Sequence, residues 1–330
     1  MRDERAGVRS AGATAGVGTD DPARPSRRTD VEGEALRMQA QDLGIHLFVW
    51  GANWDEPAFD LPAVLATCRG AGFSGVEFPW LRPLPDAALR RAAGALGAAG
   101  MWATVSTALP AEACLLEPAR RALAVAWLRR GVEAAALLGS SVLCGPLLAP
   151  VGELPAGPAR DALVAAEPLA AVAEEAEGLG VRLCLEPLNR FETDAVNTLA
   201  QGAALCARSG ARLRLLSDTF HQNIEEDDPL AALRAQAGVL GHVHLSENHR
   251  GPIGSGHVPW PAVLAGLRAV GYAGRLVVEA FNGHVAEIAR ATCIWRPLAD
   301  SPGAFAVRSA AHLLPLLAGE AGRGAVNPVA

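Results

Sequence analysis

From Leu43 onward the chain alternates short, almost unbroken apolar runs with longer stretches whose apolar residues recur every three or four positions. The first pattern reads as strands covered on both faces, the second as amphipathic helices. The predicted strands are Gly44–Trp50, Gly75–Phe78, Trp102–Thr107, Ser141–Gly145, Val181–Leu185, Leu213–Ser217, His242–Leu245 and Arg275–Glu279. Between them the helical period predicts helices near 61–71, 86–96, 118–138, 161–179, 198–209, 229–237 and 261–270, with a last one near 305–317. Pro118 stands where a first-turn proline belongs. Eight strand–helix units in about 275 residues predict a single (β/α)8 TIM barrel over 43–319. A doubly wound open sheet is disfavoured because no GxGxxG turn follows the first strand. Residues 1–42, polar and aperiodic, predict a disordered N-terminal tail with Met38 as an alternative start, and 320–330 a flexible C-terminal one.

The strands end unusually. VRLCL stops at Glu186, LRLLS at Asp218, HVHL contains His244 and RLVV stops at Glu279. The intervals of 32, 26 and 35 residues each equal about one strand–helix unit. Each residue alone has an ordinary explanation. Asp218 suits a helix cap, His244 a satisfied core histidine, and Glu186 and Glu279 rim salt bridges. All four at the ends of strands five to eight point instead to one metal site on one rim of the barrel.

Composition narrows the chemistry. The formal net charge is −6, against a nucleic-acid-coating surface. All 29 basic residues are arginine, so there is no Schiff-base lysine and no P-loop lysine. Six scattered cysteines without a CxxC pair predict a reduced, cytoplasmic protein. No apolar run has membrane-spanning length, and no apolar segment follows the N-terminal arginines as in a secretory signal.

Three carboxylates and one imidazole form a hard, oxygen-rich site suited to Mn²⁺, with Co²⁺ or Mg²⁺ as alternatives. An ion chelated by a carbonyl and a neighbouring hydroxyl acidifies the adjoining C–H. Two carboxylates facing each other across the barrel mouth can then pass a proton from one face of that carbon to the other. Glu186 and Glu279 are the candidates. His221, Arg250 and Glu192 lie where they can hold substrate oxygens, and His242, two residues from His244, shares its face inside the barrel.

The strings LEPLNRFE, DTFHQNIEE, GHVHLSENHRG with GSGHVPW, VVEAF and IWRPL resemble the D-tagatose 3-epimerase family, which includes the D-psicose (allulose) 3-epimerases, within the xylose-isomerase-like barrels. The resemblance covers most of Gly44–Leu298. It implies a Mn²⁺ or Co²⁺ ion on Glu186, Asp218, His244 and Glu279, the two glutamates as the acid/base pair at C3 of a ketose through a metal-bound enediolate, and substrate contacts at Glu192, His221 and Arg250. The N-terminal half departs from that pattern. His46 and Leu47 stand where the family often has aromatic residues, and Gly145–Gly152 lacks a tryptophan found in several members. His46 and the Leu147–Val151 loop are therefore expected to shape the pocket for the far end of the sugar. The expected partner is a small sugar, with no nucleic acid or membrane, and the expected assembly a homo-oligomer, dimer or tetramer. An aldose–ketose or hydroxypyruvate-type isomerase is the alternative on the same barrel. More remote are an endonuclease-IV-like repair enzyme, which needs more ligating histidines and a basic face, and a non-catalytic sugar-binding barrel, which does not need both glutamates.

Overall fold

The computed structural model describes residues 38–319, apart from 211, 282, 284–288 and 291; most of the two expected tails therefore lies outside the described residues. Ala40–Asp42 forms a 3-10 turn and Met38 is buried, so residues 38–42, read above as tail, join the fold. Eight parallel strands close into a barrel in chain order: β1 (Leu43–His46), β2 (Gly75–Pro79), β3 (Trp102–Ser106), β4 (Val142–Gly145), β5 (Arg182–Leu185), β6 (Arg214–Asp218), β7 (Leu240–Leu245) and β8 (Leu276–Val278). β8 pairs with both β7 and β1, so the sheet has no open edge and the expected (β/α)8 barrel is what forms.

Among the described residues the outer helices are α1 (Leu61–Ala71), α2 (Asp86–Ala99), α3 (Pro118–Leu137), α4 (Ala166–Gly178), α5 (Leu199–Ser209), α6 (Thr219–Glu225), α7 (Pro229–Ala235), α8 (Trp260–Ala269) and α9 (Pro302–Leu317). Local chemistry sets their starts. Asp60 accepts the Ala63 N–H, Ser301 the Ala304 N–H, and Thr198 forms a reciprocal capping box with Gln201. Paired guanidinium–carboxylate contacts link the ring of helices: Arg130 of α3 to Asp86 of α2 at 2.6 Å, and Arg129 of α3 to Glu175 of α4 at 2.6 Å. Such half-exposed pairs contribute at most about 1 kcal/mol each, so the apolar layer between strands and helices carries the stability.

The first strand falls furthest short of its expected span. β1 stops at His46 and turns into a 3-10 segment, Leu47–Val49, because His46 Nδ1 accepts the Phe48 N–H at 3.0 Å. An unbroken apolar run carries no mark of such a turn.

Inward-facing residues form layers. At the bottom, Gly44 pairs with Gly75 and Gly75 with Trp102; a Cβ at either glycine would collide with the Trp102 ring, which fills the space they leave. Above lie Val142, Cys144, Cys184 and Leu216, a small apolar cluster separate from the main core, beside the buried His46, Glu77, Thr104 and His242. At the C-terminal ends stand Ser106, Glu186, Asp218 and Glu279.

Candidate functional site

The four strand-end residues converge. One ligand atom each from Glu186, Asp218, His244 and Glu279 lies within 4.8 Å of the others, and all four side chains are buried. Register explains the meeting: Asp218 pairs with His244 across β6 and β7, and Glu279 follows β8 directly, its N–H bonded to Leu245 O. Asp218 also caps α6, its Oδ1 accepting the Phe220 N–H at 2.7 Å. The ordinary reading and the ligand reading hold together, since Oδ2 still faces the site.

His244 tests whether the cluster fits a cation. Its Nε2 lies 2.7 Å from Glu77 Oε1, whereas Nδ1 is buried with no hydrogen-bond partner among the described residues, 3.3 Å from Glu279 and 3.8 Å from Glu186. A bare imidazole nitrogen facing three carboxylates is the donor set of a divalent-ion site with open positions. The buried charges press on one another. Burial, then Glu279, pushes Glu186 well above the usual carboxylate range, and burial raises Asp218. Burial alone would lower His244, but Glu77, Glu279 and Glu186 outweigh it and hold the imidazole well above its ordinary value.

Arg250 supplies the counter-charge. Its Nη1 reaches Glu279 at 2.6 Å, Ser246 at 2.8 Å and Asp218 at 2.9 Å, and its plane lies 3.9 Å from the Phe220 ring centre. These contacts hold its backbone in the left-handed region, φ 61°, which a long side chain rarely adopts. His221 accepts the Asn189 N–H at Nδ1 (3.0 Å), and its Nε2 lies 3.7 Å from Glu186 and 3.3 Å from Arg250 Nη2. Burial lowers this imidazole to about 3, so it is neutral. Glu192 accepts from the Asn189 amide at 2.8 Å and is raised by burial.

A cavity of about 200 Å³ opens beside the cluster, lined by Glu186, Glu279, Glu192, His221 and Arg250, with Phe48, Leu81, Ala108, Pro146, Val151 and Phe281 as its apolar wall. Gly145, Pro146 and Val151 of the loop after β4 reach this wall, whereas Leu147 is fully buried. His46 is not brought to it. Its Nε2 bonds Ser106 Oγ at 2.7 Å, and Ser106, not His46, faces the cavity. A larger hollow of about 680 Å³ lies at the opposite ends of β5–β7, but its lining includes a single carboxylate, Glu177, and no imidazole. Another acidic group, Cys114, Glu117 and Glu153, is bound by Arg120 and Arg160.

The residue missed from sequence is Glu77, in the middle of GVEFP, fully buried and bonded to His242 (2.8 Å), His244 and Thr104 (2.7 Å). The signal was present: a carboxylate inside a strand covered on both faces has no solvent to face.

A model of the xylose isomerase-like TIM barrel family matches residues 65–300. The chain is 37% identical over 262 residues to the L-ribulose 3-epimerase of Mesorhizobium japonicum, covering 78% of this chain and 87% of that protein. Among solved structures, one of L-ribulose 3-epimerase superposes with a TM-score of 0.78 at 35% identity, covering 84% of this chain and 96% of the other. The D-psicose 3-epimerase of Clostridium cellulolyticum H10, solved with D-tagatose, gives 0.75 at 25% identity, with 84% and 99% covered.

Proposed function

The chain belongs to the xylose isomerase-like TIM barrel family, and from that premise we propose that it is a metal-dependent ketose 3-epimerase acting on free ketoses. The observation that carries the reading is the pair Glu186 and Glu279. They stand at the ends of β5 and β8, three strand steps apart in a ring of eight, and line one cavity beside the unpartnered Nδ1 of His244.

Glu186, Asp218, His244 and Glu279 would hold one divalent ion, Mn²⁺ before Co²⁺ or Mg²⁺. When bound, that ion polarises the ketose carbonyl as a Lewis acid and acidifies the C–H at C3. One glutamate then takes the C3 proton and the other delivers a proton to the opposite face. Each works between charged and neutral forms, and the upward push on Glu186 favours such a role near neutrality. Arg250, with the neutral His221 beside it, offers its remaining N–H groups to the oxygen that gains charge, and Glu192 accepts from a sugar hydroxyl. His46 acts on the substrate through Ser106.

The cavity is smaller than sites for drug-sized ligands, as a single monosaccharide requires. Among its described lining residues Arg250 is the one cation, and Asp218 and Glu279 already neutralise it, which favours an unphosphorylated sugar. Six free cysteines, five of them buried, support a reduced, cytoplasmic setting.

The test is a panel of ketopentoses and ketohexoses incubated with the Mn²⁺-loaded protein in D₂O, with deuterium located by NMR. Deuterium at C3 of an inverted product supports the reading. Deuterium at C1 or C2 with an aldose product replaces it with aldose–ketose isomerisation, and no exchange with any sugar removes it.

A further inference from the structure

Inward positions of a barrel buried on both faces are ordinarily apolar, yet the layer beneath the four-ligand cluster holds His46, Glu77, Thr104 and His242, all fully buried. A carboxylate there is costly unless its oxygens are taken up. Those of Glu77 are. Oε1 faces His244 Nε2 at 2.7 Å; Oε2 faces His242 Nε2 at 2.8 Å and accepts from the Thr104 hydroxyl at 2.7 Å. An ionised carboxylate only accepts, so both imidazoles must carry their protons on Nε2.

We propose that Glu77 is a positioning residue for the metal centre: by accepting the hydrogen bond from His244 Nε2–H it holds that proton and the ring's orientation, so that Nδ1, turned toward Glu186, Asp218 and Glu279, is the nitrogen left to bind the ion. This rests on the metal-centre reading given above. The unpartnered, buried Nδ1 is what such an arrangement leaves behind. The requirement is for a carboxylate rather than any polar group. An amide has one accepting and one donating end, and two imidazole N–H groups both seek acceptors. A glutamine at position 77 must therefore oppose its NH₂ to one of them, and His244 is the ring that yields: a proton on its Nδ1 faces Glu279 at 3.3 Å, whereas one on His242 Nδ1 would be buried without an acceptor. The lower group of Glu77, Cys144, His242 and His244 also lies within ligand distance of itself. There, however, both Nε2 atoms and both carboxylate oxygens are already engaged with one another.

The experiment uses the full-length, metal-stripped protein and Mn²⁺ alone, titrated calorimetrically. Glu77→Gln should bind Mn²⁺ about 10–100-fold more weakly, the usual cost of losing a partner behind a ligand. The double variant Glu77→Gln/His242→Gln should regain most of that loss. Its new amide on β7 can present a carbonyl to the NH₂ of the new amide on β2, whose own carbonyl is then free to accept from His244. A general packing defect would be deepened, not relieved, by the second change. Wild-type affinity in the single variant, or no recovery in the double, overturns the proposal. Should the single variant fail to fold, wild-type protein decides: histidine ¹⁵N NMR with diamagnetic Mg²⁺ should show His244 protonated at Nε2, and a proton on Nδ1 overturns it. A thiolate-to-metal absorption band with Co²⁺ would assign the ion to the lower group and overturn it too. A wild type that takes up no divalent ion removes the centre and this proposal with it. None of these measurements uses sugar, so a protein that binds Mn²⁺ through Nδ1 but fails the deuterium test loses the epimerase reading and keeps this one.

Discussion

Binding of the divalent ion should release protons, and the structure sets the sign. His244 is held well above its ordinary value, which favours a proton there in the metal-free site. Glu186, raised well above the carboxylate range, adds a second proton as pH falls. Both must be lost before the four groups can ligate. One proton released makes affinity rise tenfold per pH unit, about 1.4 kcal/mol, and the slope should steepen toward two protons on the acid side. The linkage also reaches stability. At a fixed Mn²⁺ concentration equal to 100 times Kd the ion contributes about 2.7 kcal/mol; one pH unit lower it contributes about half as much. In a domain of this size that is a loss of about 2–5 °C from the metal-induced rise in Tm. Metal-free protein should behave oppositely with respect to His244. Its raised value contributes stability that is full below the ordinary imidazole pKa and is lost as pH rises through the folded one. The assay is calorimetric titration with Mn²⁺ in two buffers of different ionisation enthalpy, at about pH 6 and about pH 7.5, on either side of the ordinary imidazole value. Heats independent of buffer, with equal affinity at both pH values, would refute the reasoning, because His244 would then already be neutral.

Other outcomes follow from the same geometry. Glu186→Gln and Glu279→Gln, each checked for retained metal, should lower turnover by a factor of roughly 10²–10⁴, and one of them should still exchange the C3 hydrogen with D₂O while making almost no epimer; near wild-type epimerisation in both would exclude the two-carboxylate mechanism. Val151→Trp should change the ranking among ketoses, since Val151 belongs to the apolar wall of the cavity, and an unchanged ranking in steady-state kinetics would show that the distal pocket lies elsewhere. Gly75→Ala drives a methyl into the Trp102 ring at the barrel bottom; it should cost at least about 1–3 kcal/mol in denaturant melts, with little change in metal affinity per folded molecule.

What could be read from sequence follows from how unusual each residue is in its setting. Glu186, Asp218 and Glu279 were visible because a charge ending an apolar strand breaks a pattern. Glu77 breaks the pattern as plainly, but GVEFP passes as a strand with one polar face until the barrel closes and removes that face. His46 sits at a strand end like the four clustered residues. What sets it apart is a turn: its Nδ1 holds the Phe48 N–H and its Nε2 holds Ser106, so both nitrogens are spent within the fold. His242 could be placed below His244 because residues two apart share a strand face.

The guanidinium pairs between neighbouring helices belong to a chain whose 29 basic residues are all arginine. For an enzyme that works among reducing sugars this has a chemical consequence outside folding. Ketoses condense with primary amines to imines, and lysine side chains are where a protein ordinarily offers those amines. A guanidinium stays protonated and is no such nucleophile. The surface of this protein therefore presents its substrates with no side-chain amine on which to brown.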